Sequence, residues 1–600
     1  MGAAIVAAAL TTPVCAQDPD DLQRGVARVS LLNGDVSILR GDSGDWEAAS
    51  LNSPLMTNDR ISTGAGARAE VQFDSSTALR VGADTDVMVT QLESGRYQMG
   101  LTHGTITFRL LRTSTVDMEV DTPSVSVRPS QEGAYRITVD PAGETLVTAR
   151  SGEVEVFSPR GSQWVRAGQT LMARGDPSDP EFQIVQAIAY DDWDRWNDSR
   201  DQIWARSVSP QYVGPGVYGT EDLDAYGSWI DVPTYGNVWR PLVVGGWAPY
   251  RQGRWVWEDW YGWTWVSYEP WGWAPYHYGR WFYEPAYGWC WYPGAIRVRH
   301  YWAPGTVAFF GFGAGGGVAF GFLNVGWVPL APYEVLHPWW GRGFYGGPGY
   351  VNRSISLTTV NITTAYRNAR VTNGVTAVAE ADFRGGRFNN FVRVSNEQIR
   401  QAGLVRGQMP IAPSQANLRF SDRQAAFVPR ASGNTRFFTR QAPNPAPSVS
   451  FAQQRRAFQQ SSGANRGRFG EIDASGVAPR ESSQPARNES GGWQRFGETR
   501  GSQPAPRSET ATTPAPRGFS RFGESGGAAQ PEVLTTRPSP EPRSQTFVGN
   551  NAEPRSAAPY RPPSVQVAPP VVRERPSGGG RPSGGGSHGN SGHSSGSGHR

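Results

Sequence analysis

A repeat of 26 residues occupies the middle of the chain and constrains its fold more than any other feature. Three copies between residues 221 and 304 agree at a glycine and two tryptophans, which are Gly227, Trp229 and Trp239, then Gly253, Trp255 and Trp265, then Gly279, Trp281 and Trp291. A Tyr-Gly pair between the two tryptophans is typical of a turn, so each copy is predicted to be a β-hairpin. Because one hairpin cannot bury its own face, we expect the copies to stack or to form a small sheet.

The repeat leaves two roles open for its aromatic rings. In the first, the rings form the core of a thin sheet, with neighbouring arginines as cation–π partners. In the second, some rings also face outward and stack on the sugars of an envelope polymer, while arginines hold its acidic groups. The candidate binding residues for this second role are Trp229, Trp255, Trp281, Trp239, Trp265, Trp291, Tyr250, Tyr276, Arg254 and Arg280.

Sequence patterns for catalysis, metals and cofactors are missing. The chain has no P-loop, Gly-x-Ser-x-Gly, His-Glu-x-x-His or Cys-x-x-Cys pattern. Glu258-Asp259 adjoin a turn, His103 and His277 are interpreted as packing or capping residues, and Cys290 as a small packing residue. We therefore expect no catalytic residues, no metal, no cofactor and no enzyme activity.

Residues 25–175 read as a succession of short strands at a spacing of about ten residues, which favours an all-β sandwich or roll. Asn33-Gly34, between two alternating segments, predicts a type I′ hairpin. Residues 184–206 are predicted to form a linking helix, with Val185, Ile188, Trp196 and Ile203 on one face.

This β region resembles the FecR domain, a periplasmic signalling module of iron-citrate regulation. The resemblance rests on matching positions in order, which are Asp59, Thr63-Gly64, Gly104, Thr122-Pro123 and Gly152-Glu153-Val154. The chain departs from the pattern at Arg128-Pro129-Ser130, where many members carry Arg-Gly-Thr before an aromatic residue. The resemblance implies a β fold and a component of periplasmic signalling.

The larger arrangement resembles a family of uncharacterised bacterial proteins. These join a FecR-like domain to tandem Trp/Tyr-rich repeats and end in an Arg/Pro-rich tail. Here "WAPY" occurs at Trp247 and Trp273, with "GRW" and "YGWTW" between them. The resemblance runs from about residue 25 to residue 420 and implies no established activity.

The remaining segments complete a mainly β organisation. Residues 1–16 are interpreted as a signal peptide, so the chain is expected to be periplasmic or secreted. Residues 305–425 are predicted to hold a Gly-rich hairpin, with strands Val307–Phe312 and Val318–Phe322, and a small β/α extension with a helix beginning at Ser395. Residues 426–600 are rich in Arg, Pro, Gly and Ser and are predicted to be a disordered tail.

Composition and charge guide the choice of partners. All 57 basic residues are arginine, and arginines outnumber acids after residue 350. Since we expect export, we expect an envelope polymer (peptidoglycan or an acidic polysaccharide) or another envelope protein as partner, with no nucleic acid and no transmembrane helix. The preferred function is a non-enzymatic exported envelope scaffold. A FecR-type periplasmic sensor and a cell-wall polysaccharide-binding module are the alternatives.

Overall fold

The computed structural model describes residues 24–112, 114, 116–176, 178–313, 322–340, 356–429, 435–445, 447–458 and 520–521. These residues all belong to one unit, Met1–Gly526. The predicted signal peptide and the predicted tail beyond residue 458, apart from Ser520–Arg521, lie outside the described residues.

The β domain, residues 27–186, is built from strands that form two sheets. They are β1 (Ala27–Asn33), β2 (Val36–Leu39), β3 (Trp46–Ala48), β4 (Pro54–Leu55), β5 (Arg60–Thr63), β6 (Arg68–Gln72), β7 (Thr77–Val81), β8 (Thr85–Glu93), β9 (Arg96–Leu110), β10 (Asp117–Asp121), β11 (Ser126–Pro129), β12 (Gly133–Val139), β13 (Thr145–Ser151), β14 (Glu153–Ser158), β15 (Gly161–Arg166), β16 (Gln169–Arg174) and β17 (Glu181–Gln186). The mainly β class predicted from the sequence is confirmed.

The long strand β9 joins the two sheets. Sheet A runs β3-β2-β5-β8-β9-β10-β11-β14-β15, with β9 and β10 parallel. Sheet B runs β4-β1-β6-β7-β9-β12-β13-β16-β17. At the change of sheet Gly104 has φ +96°, and a Cβ there would lie 2.3 Å from the Thr85 hydroxyl. A glycine is therefore required where β9 bends.

The predicted Asn33-Gly34 hairpin is wrong. Strand β1 pairs with β4 and β6, whereas β2 pairs with β3 and β5. A type I′ turn needs positive φ at both central residues, but Asn33 ends an extended strand and Gly34 has φ +79°. The turn therefore carries the chain from one sheet to the other.

The predicted linking helix begins later than the sequence indicated. Val185 belongs to strand β17, and helix α1 spans Asp192–Arg206 behind a capping box made by Asp191. Its buried residues are Trp193, Asp194, Asn197 and Trp204. The predicted apolar face was therefore wrong, and Ile203 on that face is 48% exposed. The helix instead packs on sheet B through polar contacts, among them Trp193 Nε1 donating to Thr107 Oγ1 at 2.8 Å.

The repeat module contains three hairpins in the same register. Its elements are α2 (Leu223–Tyr226), β18 (Gly227–Val232), β19 (Gly236–Pro241), β20 (Gly253–Glu258), β21 (Gly262–Ser267), α3 (Ala274–His277), β22 (Arg280–Glu284) and β23 (Gly288–Tyr292). In each hairpin the two repeat tryptophans lie directly opposite each other, as Trp229–Trp239, Trp255–Trp265 and Trp281–Trp291.

The repeat glycines share a close approach to the opposite strand, although Gly279 alone of the three has a positive φ, +62°. A Cβ on Gly227, Gly253 or Gly279 would lie 2.4, 2.4 or 2.3 Å from a carbonyl oxygen of the opposite strand, and would also meet the cross-strand indole. Only a glycine lets the two strands and the ring approach this closely.

The three hairpins differ in their neighbours. The first and third join through β19 and β23 into one four-stranded sheet, while β20 and β21 form a separate pair. All three contribute tryptophans to a single aromatic cluster, which also includes Trp327 and Trp339 of the following segment.

A five-stranded antiparallel sheet follows, in the order β26-β28-β24-β25-β27. Its elements are β24 (Val307–Phe312), β25 (Asn324–Pro329), β26 (Ser356–Val360), α4 (Ile362–Ala365), β27 (Thr376–Ala379), α5 (Glu380–Arg384), α6 (Asn396–Arg400) and β28 (Ala402–Arg406). Strand β24 pairs with β25, and residues 318–321 of the predicted strand Val318–Phe322 lie outside the described residues. Ser395 caps α6.

Among the described residues, no helix has the length and hydropathy needed to cross a bilayer.

Part of the predicted disordered tail is ordered. Residues 435–445 and 447–458, here called the strap, lie against the folded body, and residues 451–458 are helical. Phe451 and Phe458 are 5% and 3% exposed within the aromatic cluster. Two isolated phenylalanines anchor a segment whose average composition predicts disorder. Further along, Ser520–Arg521 (β29) pairs with β17.

Replacing a buried repeat tryptophan is expected to destabilise the fold. The Trp255 ring is 0% exposed and contacts Trp265, Trp327 and Phe309. We expect Trp255→Ala to lower the free energy of unfolding by about 3–5 kcal/mol, because it leaves a cavity. Urea unfolding measures this, with Trp164→Ala as the control, since Trp164 is 43% exposed. Equal midpoints for the two variants would contradict a core role for the ring.

Candidate functional site

The structure places most of the predicted binding residues inside the protein. Seven of the ten are rings at most 1% exposed: Trp239, Trp255, Trp265, Trp281, Trp291, Tyr250 and Tyr276. A ring buried to this extent offers no face to a polymer in this structure. Their polar atoms have internal partners in several cases; for example, the Tyr250 hydroxyl donates to Tyr276 O at 2.6 Å.

The other three candidates are also engaged within the chain. Trp229 is partly exposed, stacks on Tyr212 at 4.6 Å and donates to Ser209 Oγ. Arg254 is 3% exposed and donates to Gly386 O at 2.9 Å. Arg280, partly exposed, donates to Gly279 O. Ring stacking on a polymer stays a prediction, and the described geometry does not assemble these residues into an open surface.

A different candidate site lies at the junction between sheet A and the second hairpin. Side chains alternate along β20, so Trp255 and Trp257 join the aromatic cluster while Val256 points the other way. Val256 and Val266 belong to the hydrophobic core of the β domain. The second hairpin therefore has one face in each core.

Arg40 forms a buried ion-pair network across this junction. Its guanidinium donates to both carboxylate oxygens of Glu258, at 2.8 and 2.7 Å, and to both of Asp42. It also donates to Trp257 O at 2.8 Å. Arg40 and Glu258 are 2% and 1% exposed. This bidentate geometry fixes the orientation of the hairpin on the β domain.

A second arginine ties the β domain to the start of the repeat module. Arg28, 0% exposed, donates through Nη2 to Glu221 and Asp222 at 3.1 and 2.6 Å, and through Nε to Gln72 at 2.8 Å. The two arginine networks contact the repeat module at its first residues and at its second hairpin. Together they set the relative orientation of the two regions.

A small recess opens beside the Arg40 network. It is lined by Arg24, Gly25, Arg40, Gly41, Asp42, Met56, Thr57, Asp59, Leu92, Glu93, Glu258, Asp259, Tyr261 and Ser448 of the strap. Asp59 accepts from the backbone N–H groups of Gly41 and Met56, each at 2.8 Å. Asp259 accepts from the backbone N–H of Val449 at 3.1 Å.

Burial makes these carboxyl groups hold protons more tightly than usual. It raises the pKa of Asp59 to about 7 and that of Asp259 to about 6, because the loss of water outweighs the attraction of nearby arginines. Glu258 accepts from Arg40 with both of its oxygens, which is the geometry of a carboxylate. Carboxyl groups outnumber guanidinium groups around the recess, so proton uptake reduces their mutual repulsion. This arrangement can respond to pH, and the sequence pattern at Glu258-Asp259 did not reveal it.

The structure also shows the surroundings of His277 and Cys290, which the sequence analysis interpreted as packing or capping residues. Burial lowers the pKa of His277 to about 3, and its Nδ1 lies 2.7 Å from Ala303 O. Burial raises the pKa of the Cys290 thiol to about 11. Within the described part of the chain, no group of three or more His, Cys, Asp or Glu side chains is arranged to hold a metal ion.

The sequence analysis did not identify Arg28 and Arg40 at the junction, although the composition of the chain contained a clue to buried ion pairs. A chain that uses arginine for every basic residue is suited to bidentate, buried pairs with carboxylates. Asp59 was singled out as a matching position of the β region, without a structural role. The partners of Arg28 and Arg40 in the repeat module lie between 193 and 218 positions away along the chain.

The buried carboxyls predict that stability falls as the pH rises from about 4 to about 7. The pKa of Asp59 is about 7 in the folded state, whereas its ordinary pKa is 3.8, so the folded state binds more protons in this window. Each such group contributes a slope of up to about 1.4 kcal/mol per pH unit. Thermal unfolding across this range should show a shallower slope for Asp59→Asn. The exposed Glu397→Gln serves as control, and identical slopes for the two variants would count against the buried carboxyl.

Comparison with known proteins identifies two regions of this fold. Residues 59–155 match the family model described as FecR protein, and residues 220–334 match a family of unknown function, DUF6600. The search of curated proteins found no match. Two crystal structures of a candidate anti-sigma factor from Parabacteroides distasonis ATCC 8503, at 2.50 and 1.65 Å resolution, align at 17% identity with a TM-score of 0.20. The alignment covers 24% of this chain and 64% of theirs, and at this TM-score it carries no argument. The chain thus contains a FecR domain at residues 59–155 and a DUF6600 region at residues 220–334.

Proposed function

We propose that the protein is a non-enzymatic exported scaffold of the cell envelope that contacts another envelope protein. The observation that carries this proposal is the fusion of the FecR domain and the aromatic repeats into one body. They share a hydrophobic core through Val256 and Val266, and the buried Arg28 and Arg40 networks cross between them. Such a body suits the role of holding a partner in a defined place.

The burial of the aromatic rings favours a protein partner over a polymer. Indole surfaces that would stack on sugars are packed against other rings of the same cluster. Polymer binding would need an open row of rings, and the buried tryptophan pairs lie inside instead. The polysaccharide-binding alternative therefore has less support than the scaffold.

An exposed apolar loop offers a contact surface for a protein. Leu242, Val243 and Val244 are 86%, 38% and 79% exposed, between the first and second hairpins. The matching positions of the second copy are Tyr268, Glu269 and Pro270, so the repeat itself does not require three apolar residues here. Adjacent exposed apolar side chains of this kind are typical of contact sites.

A FecR-type periplasmic signalling component is the second candidate function. The match at residues 59–155 favours it. Both functions use a protein partner, but they differ in their effect. Loss of a scaffold displaces its partner within the envelope, whereas loss of a signalling component changes the expression of the genes it controls.

Substitution in the exposed loop tests the proposed contact. A photo-crosslinking residue at Val243 of the full-length chain should give a discrete adduct with one envelope protein, and Leu242→Ser with Val244→Ser should abolish that adduct. The serines should change the free energy of unfolding by less than about 0.5 kcal/mol, since the loop is exposed.

The control places the same crosslinker at Tyr333, which is 74% exposed. Equal adducts from both positions would show random contact and contradict the proposal. Co-sedimentation of the full-length protein with isolated cell wall, unaffected by the serine substitutions, would favour the polysaccharide-binding alternative instead.

A further inference from the structure

The outer face of sheet A carries an acidic groove. Strand register places Arg96, Gln98 and Gly100 of β9 beside Asp117, Glu119 and Asp121 of β10. The intervening residues, such as Met99 and Val120, belong to the core, so this polar set lies on the opposite face. We call the set Gln98, Gly100, Asp117, Glu119 and Asp121 the acidic groove.

The first arm of the strap, residues 435–445, occupies this groove through a bound arginine. Arg440 Nη2 lies 2.7 Å from Asp117 Oδ2 and 3.3 Å from Glu119 Oε2. The backbone N–H of Arg440 donates to Glu119 Oε1 at 2.8 Å. The arginine is therefore bound by its side chain and by its main chain.

Aromatic and main-chain contacts hold the arm on either side of Arg440. A Cβ on Gly100 would lie 2.8 Å from the Phe437 ring, so the ring rests on the bare glycine. The Phe438 N–H donates to Thr122 O at 3.0 Å, and Gln441 O accepts from Gln98 Nε2 at 3.1 Å. The groove thus recognises an extended backbone with a phenylalanine three residues before an arginine.

The carboxyls of the groove favour a basic ligand. With the arm in place, Glu119 and Asp121 are 0% and 1% exposed. Arg96 pairs with Glu119 at 2.9 Å, and Arg128 pairs with Asp117 at 3.0 Å. Arg440 adds a third guanidinium to Asp117 and Glu119, and charge-assisted hydrogen bonds of this kind are stronger than neutral ones.

The first arm is attached differently from the rest of the strap. None of its described residues is buried, and its contacts are mainly hydrogen bonds and ion pairs. In the second arm, residues 447–458, Phe451 and Phe458 are buried in the aromatic cluster. The first arm can therefore leave without exposing apolar core, while the second arm stays bound.

We propose that the acidic groove is a peptide-recognition site for an extended Phe-x-x-Arg segment of a partner protein, and that residues 435–445 are an internal ligand that keeps it closed. The arm begins a few residues after Pro429 of the folded body, so its local concentration at the groove is on the order of millimolar. A partner peptide competes only when the arm is weakened or when its own contacts are stronger. This site is separate from the exposed loop at Leu242, and either proposal can fail alone.

The experiment uses the full-length chain and a fluorescent peptide of residues 434–446, followed by anisotropy. Phe437→Ala with Arg440→Ala in the chain should open the groove and bind the peptide about tenfold or more tightly than the wild-type chain does. The same peptide with Arg440→Glu should not bind. Adding Glu119→Gln to the opened chain should weaken peptide binding, and Arg436→Ala, at an exposed position of the arm, should leave the chain closed as in the wild type.

Limited proteolysis between residues 430 and 446 reports whether the arm has left, and thermal unfolding reports whether the body stays folded. An arm that is released while the opened chain fails to bind the peptide would overturn the proposal and leave a purely structural strap. An arm that stays protected in the double variant would overturn it as well, because the groove would then not depend on Phe437 and Arg440. Equal binding of the Arg440→Glu peptide would show attachment without recognition, and this result would also overturn the proposal.

Discussion

The second hairpin lies between two hydrophobic cores, and the rest of the folded body depends on this position. Its tryptophans enter the aromatic cluster, while Val256 and Val266 enter the core of the FecR domain. The alternation of a β-strand makes this possible, because adjacent residues point to opposite faces. The first and third hairpins share the register but join each other instead, so one repeat unit serves two structural purposes.

The buried arginines add orientation to this apolar contact. A buried ion pair is a weak source of net stability, since removing two charges from water costs about as much as their attraction returns. Its bidentate geometry is nevertheless demanding, and Arg40 satisfies it with Glu258 at 2.8 and 2.7 Å. The networks of Arg28 and Arg40 therefore select one arrangement of the two regions. The buried Asp59 and Asp259 beside the Arg40 network also make that arrangement sensitive to protons.

Local patterns in the sequence predicted local structure well. They failed where contacts between residues distant in sequence determine the structure. Alternation and glycine spacing predicted the β class and the hairpin in each repeat copy. The Asn33-Gly34 signal failed because β1 and β2 find partners elsewhere in two different sheets. The helix was predicted too early because β17 continues sheet B to Gln186. The ordered strap was missed because its anchors are a few side chains within a polar segment, and the strap's partners lie up to 423 positions away.

By itself, the sequence determined the repeat of 26 residues, the hairpin in each copy and the glycines that the strand approach requires. These follow from backbone geometry and side-chain alternation, which act over a few residues. Only the tertiary structure decided that the rings form a core, that the second hairpin joins the FecR domain and that part of the tail fills an acidic groove. Those outcomes depend on which surfaces meet after the chain folds, because burial and charge pairing are properties of contacts between residues distant in sequence.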